Sequence, residues 1–348
     1  MACNFSAKLM SIMSAEFIPY LVPIGLLIFL LEVYFLKKKG MKITLEQTAI
    51  NISLGFLERL LGLYLTERSI VLLNNSIDIA LFETLPQTWW VLIITFIALD
   101  LIWYIFHLAG HRVSIMWGIH LVHHHSEEFN LSVNFALSPL GFILRSVMYC
   151  ILVVFGLPVE YVILSSYLNA FYQYYLHTQF IKTIPVLEKF LVMPAHHQVH
   201  HGSNEEYLDK NFGGVFIIWD RLFGTYEPLV KPVRYGLTTT LPHRDFINLQ
   251  LFYFKKLLSN FRTRGFRHGF RLLFVGPEHQ TSETPNVIPL KASTSRVKLA
   301  LGIIIYVIAY QTLIQINDLR WFALVFALNF MAILLINGIQ NKPSSFEE

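Results

Sequence analysis

Cysteine and charge are both scarce in this chain. Of its 348 residues only Cys3 and Cys150 are cysteines, which excludes a disulfide framework and a metal site built on thiolates. Charged residues make up 14% of the chain and hydrophobic residues 54%, and the mean hydropathy is +0.51. Soluble domains carry about 25% charged residues, so this composition favours a membrane protein.

Long apolar runs support the same conclusion. Six of them approach the roughly 20 residues that a bilayer-spanning helix needs, and a weaker seventh covers residues 48–65. The six are residues 18–36, 89–106, 142–157, 159–176, 299–316 and 321–336. The first run has no basic segment before it and no small-residue cleavage site after it, so we expect a retained span. The sequence therefore predicts an all-α membrane protein of about seven spans.

The distribution of lysines predicts the orientation of these spans. Lys37, Lys38 and Lys39 follow the first span, whereas residues 74–87 carry Asp78 and Glu83 and no basic residue. By the positive-inside rule the lysines are cytoplasmic and the acidic segment is outside. Residues 107–137, residues 177–296 and the C-terminus then lie in the cytoplasm and form a largely helical cap, while the N-terminus lies outside.

The chain shows no internal repeat or flexible linker, so we expect one membrane domain with a cytoplasmic cap. Residues 1–87 hold the N-terminal spans, residues 88–260 the histidine-bearing catalytic segment, and residues 261–348 a connector and a C-terminal membrane hairpin. The stretch 262–296 contains three prolines and is predicted to be an irregular connector.

Histidines cluster with a repeated spacing. The clusters are His107 and His111, then His120, His123 and His124, then His197, His200 and His201. Residues three and four apart on a helix share a face, so each cluster can aim its imidazoles at one point. Ionisable groups at the end of a membrane span are functional candidates by default. A metal centre at one membrane face is the interpretation that this pattern favours.

Eight ligands exceed the needs of one ion that must also leave a position open, so two ions fit better than one. His177 closes another span on the same side and is a candidate ninth ligand. His125 and His196 fall outside the repeated spacing and are either orienting donors or solvated neighbours. Imidazole ligands alone leave zinc and copper open beside iron. The isolated histidines at 243, 268 and 279 are predicted to be structural or surface residues.

At these residues the chain resembles the fatty acid hydroxylase and sterol desaturase superfamily, and within it the alkylglycerol monooxygenase branch. The superfamily pattern is HxxxH, HxxHH and HxxHH on a multi-span scaffold. Further matching segments are Asn130-Leu-Ser132, Leu176-His-Thr178, Pro194 to Gly202, Tyr207 to Glu227 and Tyr235-Gly-Leu237. The likeness covers roughly residues 89–258, and the block from Tyr207 to Glu227 favours the branch.

The resemblance implies a non-haem di-iron oxygenase whose metal ligands are the eight histidines of the three clusters. For the branch it implies hydroxylation beside the ether oxygen of an alkylglycerol, with tetrahydrobiopterin as the electron donor. Two positions depart from the branch, because Arg112 and Gln179 stand where it carries glutamate. The departures affect the expected substrate and pterin use rather than the metal centre.

Several further residues have both a functional and a structural interpretation. Asp209, Lys210 and Asn211 are candidates to order the third cluster. Glu127 and Glu128 are either carboxylates supporting the second cluster or solvated charges. Trp219 and Phe223 either line a lipid entrance or belong to an interfacial aromatic belt. Gly213, Gly214 and Gly224 are predicted to serve turns or close packing.

The predicted reaction is the oxidation of a membrane lipid by dioxygen. No dinucleotide-binding or haem-attachment motif is present, so the reductant is external and an electron-donor protein is a candidate partner. The alternatives are a sterol, fatty-acyl or carotenoid hydroxylase or desaturase fed by a ferredoxin or cytochrome. A zinc hydrolase and a metal transporter are weaker, since a transporter places ligands near the bilayer midplane. No nucleic acid partner is expected.

Overall fold

The computed structural model describes residues 18–76, 82–239, 241, 246–279, 296–316 and 319–337. Within that part the chain is helical, and its backbone forms no β-strand beyond two isolated bridges, Leu191 with Phe216 and Gly202 with Tyr235. The predicted all-α class is therefore confirmed. The predictions made at residues 3, 78, 243, 285 and 289 lie outside the described residues.

Twelve α-helices are labelled here in chain order. They are α1 (Ile18–Lys38), α2 (Leu45–Ser76), α3 (Trp89–Arg112), α4 (Ser114–His124), α5 (Gly141–Val154), α6 (Val159–Leu176), α7 (Pro194–His200), α8 (Ile218–Phe223), α9 (Phe246–Arg264), α10 (Phe266–Leu272), α11 (Arg296–Ile316) and α12 (Leu319–Asn337). Short 3₁₀ turns cover Leu131–Phe135, Leu187–Lys189, Glu205–Tyr207 and Pro277–His279.

Six of the seven apolar runs of the sequence fall within α1, α2, α3, α6, α11 and α12, and the run 142–157 extends three residues beyond α5. In the described part of the chain, α3 is the one helix that is long and apolar enough to cross a bilayer. Helix α5 has 14 residues and α2 carries Glu58 and Arg59 in its interior, which lowers its hydropathy. The seven-span topology stays a prediction.

The long helices alternate in direction, so that α1, α3 and α6 end where α2 and α5 begin. At that end the backbone N–H of Thr44 donates to Glu128 (2.8 Å), and the N–H of Leu131 donates to Glu32 on α1 (2.8 Å). At the opposite end the N–H of Leu85 donates to the carbonyl of Gly156, 2.8 Å away. The histidines of the three clusters and His177 all lie at the first of these two ends, which we call the cap end.

Helices α11 and α12 pack against α2. The rings of Phe56 and Tyr306 stack with centroids 4.1 Å apart, and Ile333 and Ile336 join the buried cluster around Leu54.

The cap consists of α4, α7, α8, α9 and α10 with their connecting loops. Helix α4 packs on α9, where a Cβ on Gly118 would lie 3.1 Å from the ring of Phe254. The prediction that residues 262–296 form an irregular connector was wrong for Phe266–Leu272, which are helical. Gly265, with a φ of +80°, ends α9 and lets α10 begin at once, and the described residues do not include 280–295.

Candidate metal centre

Four segments bring nine histidines to one place at the cap end. His107 and His111 are one turn apart near the end of α3, and α4 carries His120, His123 and His124. The short helix α7 carries His197 and His200, and its last turn is followed by His201. His177 directly follows α6. All nine are buried except His120, which is partly exposed.

The nine side chains form two groups, each with ligand atoms within 4.8 Å of one another. We call them group one and group two. Group one is His107, His111, His120, His124 and His200, and group two is His123, His177, His197 and His201. The second and third clusters of the sequence each contribute histidines to both groups. The first cluster contributes only to group one, and His177 contributes to group two. The structure therefore offers two places for a metal ion, side by side.

The separations between ring nitrogens match those around a shared metal ion. In group one, Nε2 of His120 lies 3.1 Å from Nε2 of His107 and of His124. In group two, Nε2 of His177 lies 3.1 Å from that of His123 and 2.9 Å from that of His197. Two imidazoles bound at about 2.1 Å and at right angles have nitrogens about 3.0 Å apart.

Hydrogen bonds to backbone carbonyls fix the tautomers of His123 and His177 in group two. Nδ1 of His177 donates to the carbonyl of Gln173 (2.9 Å), and Nδ1 of His123 donates to that of Ala136 (3.3 Å). A carbonyl only accepts, so both protons sit on Nδ1 and both Nε2 atoms present lone pairs. Two lone pairs 3.1 Å apart repel unless a cation lies between them. The arrangement therefore fits a metal ion.

The electrostatics of the site keep these rings neutral. Burial lowers the pKa of His177 to about 3, and it holds the pKa of His123, His197 and His201 well below the ordinary value. Neighbouring histidines lower the last three further. Neutral imidazole is the form that binds a metal.

Unpartnered nitrogens point to the same conclusion in group one. Nδ1 of His200 donates to the carbonyl of Lys210 (2.9 Å), so its Nε2 is a lone pair, and this buried atom has no hydrogen-bond partner among the described residues. Buried polar atoms are nearly always satisfied, and each exception needs a reason. A metal ion in group one supplies that reason, so the residues present fit the group that the sequence implied.

The loop after α7 contacts the histidines, but only the carbonyl of Lys210 contacts the third cluster, which Asp209, Lys210 and Asn211 were predicted to order. Asp209 lies 3.4 Å from Nδ1 of His111 and 3.3 Å from Nε of Arg112, so one carboxylate orients the ligand and pairs with the arginine. Burial raises the pKa of Asp209, but His111 and Arg112 lower it more. The Asn211 amide donates to the carbonyls of His196 (3.1 Å) and Glu227 (2.7 Å).

Two buried aspartates that the sequence analysis missed anchor this loop. Asp100 on α3 accepts from the backbone N–H groups of Val215 (2.8 Å) and Phe216 (3.0 Å) and from the indole of Trp219 (3.0 Å). Asp220 accepts from the N–H groups of Phe212 and Gly213. The carbonyl of Phe212 in turn accepts from Nδ1 of His107, 2.8 Å away. Asp100 is the single charged residue of its apolar run, and that signal was available.

His125 and His196 are buried and belong to neither group. Nδ1 of His125 donates to the carbonyl of Val122 (2.7 Å), and its Nε2 accepts from the amide of Gln47 (3.0 Å). Nδ1 of His196 accepts from the N–H of Met193 at the start of α7 (3.1 Å). Neither is solvated, and both hold the protein framework rather than a ligand position.

The remaining candidates have structural contacts. Glu128 is buried against Thr44, and Glu127 is exposed. The ring of Phe223 stacks on Tyr104 with centroids 5.3 Å apart. A Cβ on Gly214 would lie 2.6 Å from the ring of Trp103, so the close packing predicted there is required. Gln179, one of the two departures, donates to the carbonyl of Phe129, 2.7 Å away.

Two cavities reach the histidines from opposite sides. The inner cavity, about 160 Å³, lies among α2, α3, α5 and α6 and is lined by His107, His120, His123 and His177 together with apolar side chains. The outer cavity, about 850 Å³, opens in the cap and is lined by His111, His124, His200 and His201. The metal centre is thus accessible both from the helical bundle and from the cap.

Fold and site together define a class, an all-helical protein with a histidine-rich centre suited to two metal ions. Residues 92–225 match the sequence model of the fatty acid hydroxylase family, within the predicted segment 88–260. The resemblance to this superfamily and to its alkylglycerol monooxygenase branch is therefore confirmed.

Curated relatives from several animals carry the name alkylglycerol monooxygenase. The human protein is 35% identical over 67% of this chain and 53% of its own length. The Danio rerio protein is 31% identical over 74% and 58%, and the Xenopus tropicalis protein 33% over 69% and 54%. The chain therefore spans little more than half the length of these relatives. No solved structure gives a significant match to the chain.

Proposed function

We propose that the protein is a membrane di-iron oxygenase that hydroxylates a lipid C–H bond and cleaves an alkylglycerol ether. One observation carries the proposal, the convergence of nine histidines into two adjacent groups inside a fatty acid hydroxylase domain. The names of the curated relatives favour an ether lipid as the substrate.

The ligand set favours iron over zinc. Catalytic zinc sites use three protein ligands and keep one position for water, whereas the groups here offer five and four imidazoles. Zinc also has no redox chemistry, which a monooxygenase requires. The groups of five and four imidazoles therefore argue against a zinc hydrolase.

Each residue of the centre has a role that does not depend on the reaction details. Group one and group two would each hold one iron ion, and two iron ions there would activate dioxygen. Backbone carbonyls of Gln173, Ala136, Phe212 and Lys210 orient the ring nitrogens that face the ions. Asp209 holds His111 in position. Eight of the nine histidines are buried, which limits the contact of their ligand nitrogens with water.

The inner cavity is proposed to receive the lipid. It lies between helices whose outer faces expose large apolar side chains, and apolar residues such as Phe106, Leu144 and Ile163 line it. Insertion of one oxygen atom beside the ether oxygen gives a hemiacetal, which breaks down to an aldehyde and the free glycerol. The other oxygen atom leaves as water, so two electrons and two protons must enter for each dioxygen.

The outer cavity is proposed to receive the reductant. Its volume of about 850 Å³ lies in the range of about 300–1,000 Å³ that is usual for small-molecule sites. Trp117 and Tyr253 offer rings, and Lys255, Lys256 and Asn260 offer polar groups. A concave site of this kind supports a small donor such as tetrahydrobiopterin over an electron-donor protein, which would dock on an open surface.

The runner-up is a hydroxylase or desaturase for a sterol, fatty-acyl or carotenoid lipid that draws electrons from a ferredoxin or cytochrome. The observation that favours it is Arg112, a cation with 51% of its side chain exposed beside His111, where the branch has an acid. An exposed cation suits the acidic surface of a donor protein.

The alternating directions of the long helices support a multi-pass topology with the centre facing the cytoplasm. The two ends of the alternating helices differ in charge, because Lys37, Lys38 and Lys39 follow α1 at the cap end. Positive charge beside a span favours the cytoplasmic side.

Lipid turnover in membranes tests the proposal. Membranes containing the protein should consume an alkylglycerol only when dioxygen and tetrahydrobiopterin are both supplied, and His124→Ala should abolish turnover at equal protein level. His268→Ala, an exposed histidine outside both groups, should retain it. Turnover with a ferredoxin-type reductant on another lipid would favour the runner-up. No oxygen-dependent product with either reductant would overturn the oxygenase function.

A further inference from the structure

An ion pair lies inside the helical bundle, apart from the histidines. Arg145 on α5 donates from Nη2 to Oε1 of Glu58 on α2, and the Glu58 side chain is 2% exposed. Arg59 follows on α2, with its Nε 3.7 Å from the second carboxylate oxygen of Glu58. That distance allows an ion pair but is too long for a hydrogen bond.

Packing alone does not explain this pair. The neighbouring contacts between α3, α5 and α6 are made by apolar residues such as Val91, Leu152 and Val162. Charges among apolar helices are costly to bury, and replacing a buried ion pair by apolar residues is often neutral or stabilising. A charged group at such a position is therefore a candidate for ligand binding.

The pair lines the same inner cavity as the metal centre. Glu58 and Arg145 share that cavity with His107, His120 and His123. Two glycines leave the pair uncovered. A Cβ on Gly62 would lie 3.4 Å from Oε1 of Glu58, and a Cβ on Gly141 would lie 3.1 Å from Nη1 of Arg145. Both glycines line the cavity as well.

The unmet hydrogen-bonding capacity of the pair identifies its ligand. Oε2 of Glu58 is buried and accepts no hydrogen bond from the described residues, so it requires a donor. The guanidinium of Arg145 carries five N–H donors and requires acceptors. A hydroxyl group supplies both, whereas a carboxylate or phosphate has no proton for Glu58 and is repelled by it.

We propose that Glu58 and Arg145 form a subsite for the hydroxyl groups of the lipid head and so determine substrate specificity. The proposal rests on the proposed function and refines it, since it selects lipids with free hydroxyls near the reacting carbon. A head group held at the pair places the carbons that follow it in the part of the cavity lined by histidines.

Equilibrium binding tests the subsite without turnover. The probes are hexadecylglycerol and its dimethyl ether, in which both hydroxyls are methylated, added to iron-loaded protein in nanodiscs without reductant. The wild type should bind the diol at least about tenfold more tightly, because two hydrogen bonds are lost with the ether. Glu58→Gln should remove the difference. Glu160→Gln, which makes the same change at the far end of α6 beside Gln87, should keep it.

The outcomes separate this inference from the proposed function. Equal binding of diol and ether by the wild type overturns the subsite, whatever the variants do and even if alkylglycerol is turned over. Tighter binding of hexadecyl phosphate than of the diol also overturns it, because an anion would then be the preferred ligand. Discrimination without any oxygen-dependent turnover leaves the subsite standing and removes the oxygenase function instead.

Discussion

At the scale of single residues, four of the nine histidines of the centre have their outer nitrogen already engaged by a backbone carbonyl. Nδ1 of His107, His123, His177 and His200 each donates to a backbone carbonyl, which leaves the other nitrogen as a lone pair facing the group. His125 has the opposite arrangement, since both of its nitrogens are used within the framework. These four histidines and His125 therefore differ by their hydrogen bonds and not by their burial.

This difference predicts the effects of two alanine substitutions. His177→Ala should lose about one metal ion per chain, because it removes one of the four nitrogens of group two. His125→Ala should keep both ions and lose only stability, since it breaks hydrogen bonds to Gln47 and Val122. Elemental analysis of the purified variants is the measurement. Equal metal loss in both would contradict the assignment of His177 as a ligand.

Asp209 is predicted to act through His111. Asp209 and Asn211 both have positive φ, 57° and 55°, which asparagine tolerates as well as aspartate, so Asp209→Asn changes the charge and keeps the backbone. We expect metal affinity to fall about 10- to 100-fold, measured by competition with a chelator.

Glu206→Gln is the matched control for Asp209→Asn. Glu206 lies on the same loop and pairs with the exposed Lys231 (2.9 Å), away from the histidines. Its substitution should leave metal affinity unchanged. A comparable loss in both variants would show that the loop charge as a whole matters and not the contact with His111.

At the scale of elements, the sequence predicted the features that depend on local spacing alone. Apolar runs predicted the helices, and the spacing of His107 and His111 predicted a shared face because both follow from one turn of a helix. The division of the nine histidines into two groups depends on how α3, α4, α6 and α7 pack, which no local spacing contains. The contact of His107 with the carbonyl of Phe212 joins residues 105 positions apart.

The anchoring of the cap loop by α3 is the element-scale contact with the largest predicted effect on stability. Each carboxylate oxygen of Asp100 accepts two hydrogen bonds, and Asp100→Asn replaces one acceptor by a donor that faces N–H groups. The free energy of unfolding should fall by about 3 kcal/mol. Denaturant unfolding in detergent micelles is the measurement.

Trp219→Phe provides the graded comparison for Asp100→Asn. It removes one of the four hydrogen bonds to the carboxylate and should lower the free energy of unfolding by about 1 kcal/mol. Equal effects of the two substitutions would contradict the anchoring role of the whole carboxylate.

At the scale of the whole molecule, the alternating helices give the protein two unlike ends. The cap end holds both histidine groups and the outer cavity, and the opposite end holds the turn at Gly156. With the lipid in the inner cavity and the reductant in the outer cavity, as proposed, the two reactants would lie on opposite sides of one centre.

This arrangement predicts the labelling of engineered cysteines. In a background with Cys3 and Cys150 replaced by serine, cysteines introduced at Ser76 and Ser203 should label from opposite sides of the membrane. An impermeant maleimide applied to oriented vesicles is the measurement. Labelling of both from the same side would refute the seven-span topology, since α2 would then not cross the bilayer.

Iron stoichiometry tests the two-metal centre most directly. Protein loaded with enriched iron and examined by elemental analysis and Mössbauer spectroscopy should hold about two ions per chain, coupled to each other. His120→Ala should remove the ion of group one, and His197→Ala that of group two, with about one uncoupled ion left in each variant. One ion or none in folded, active wild-type protein would contradict the account.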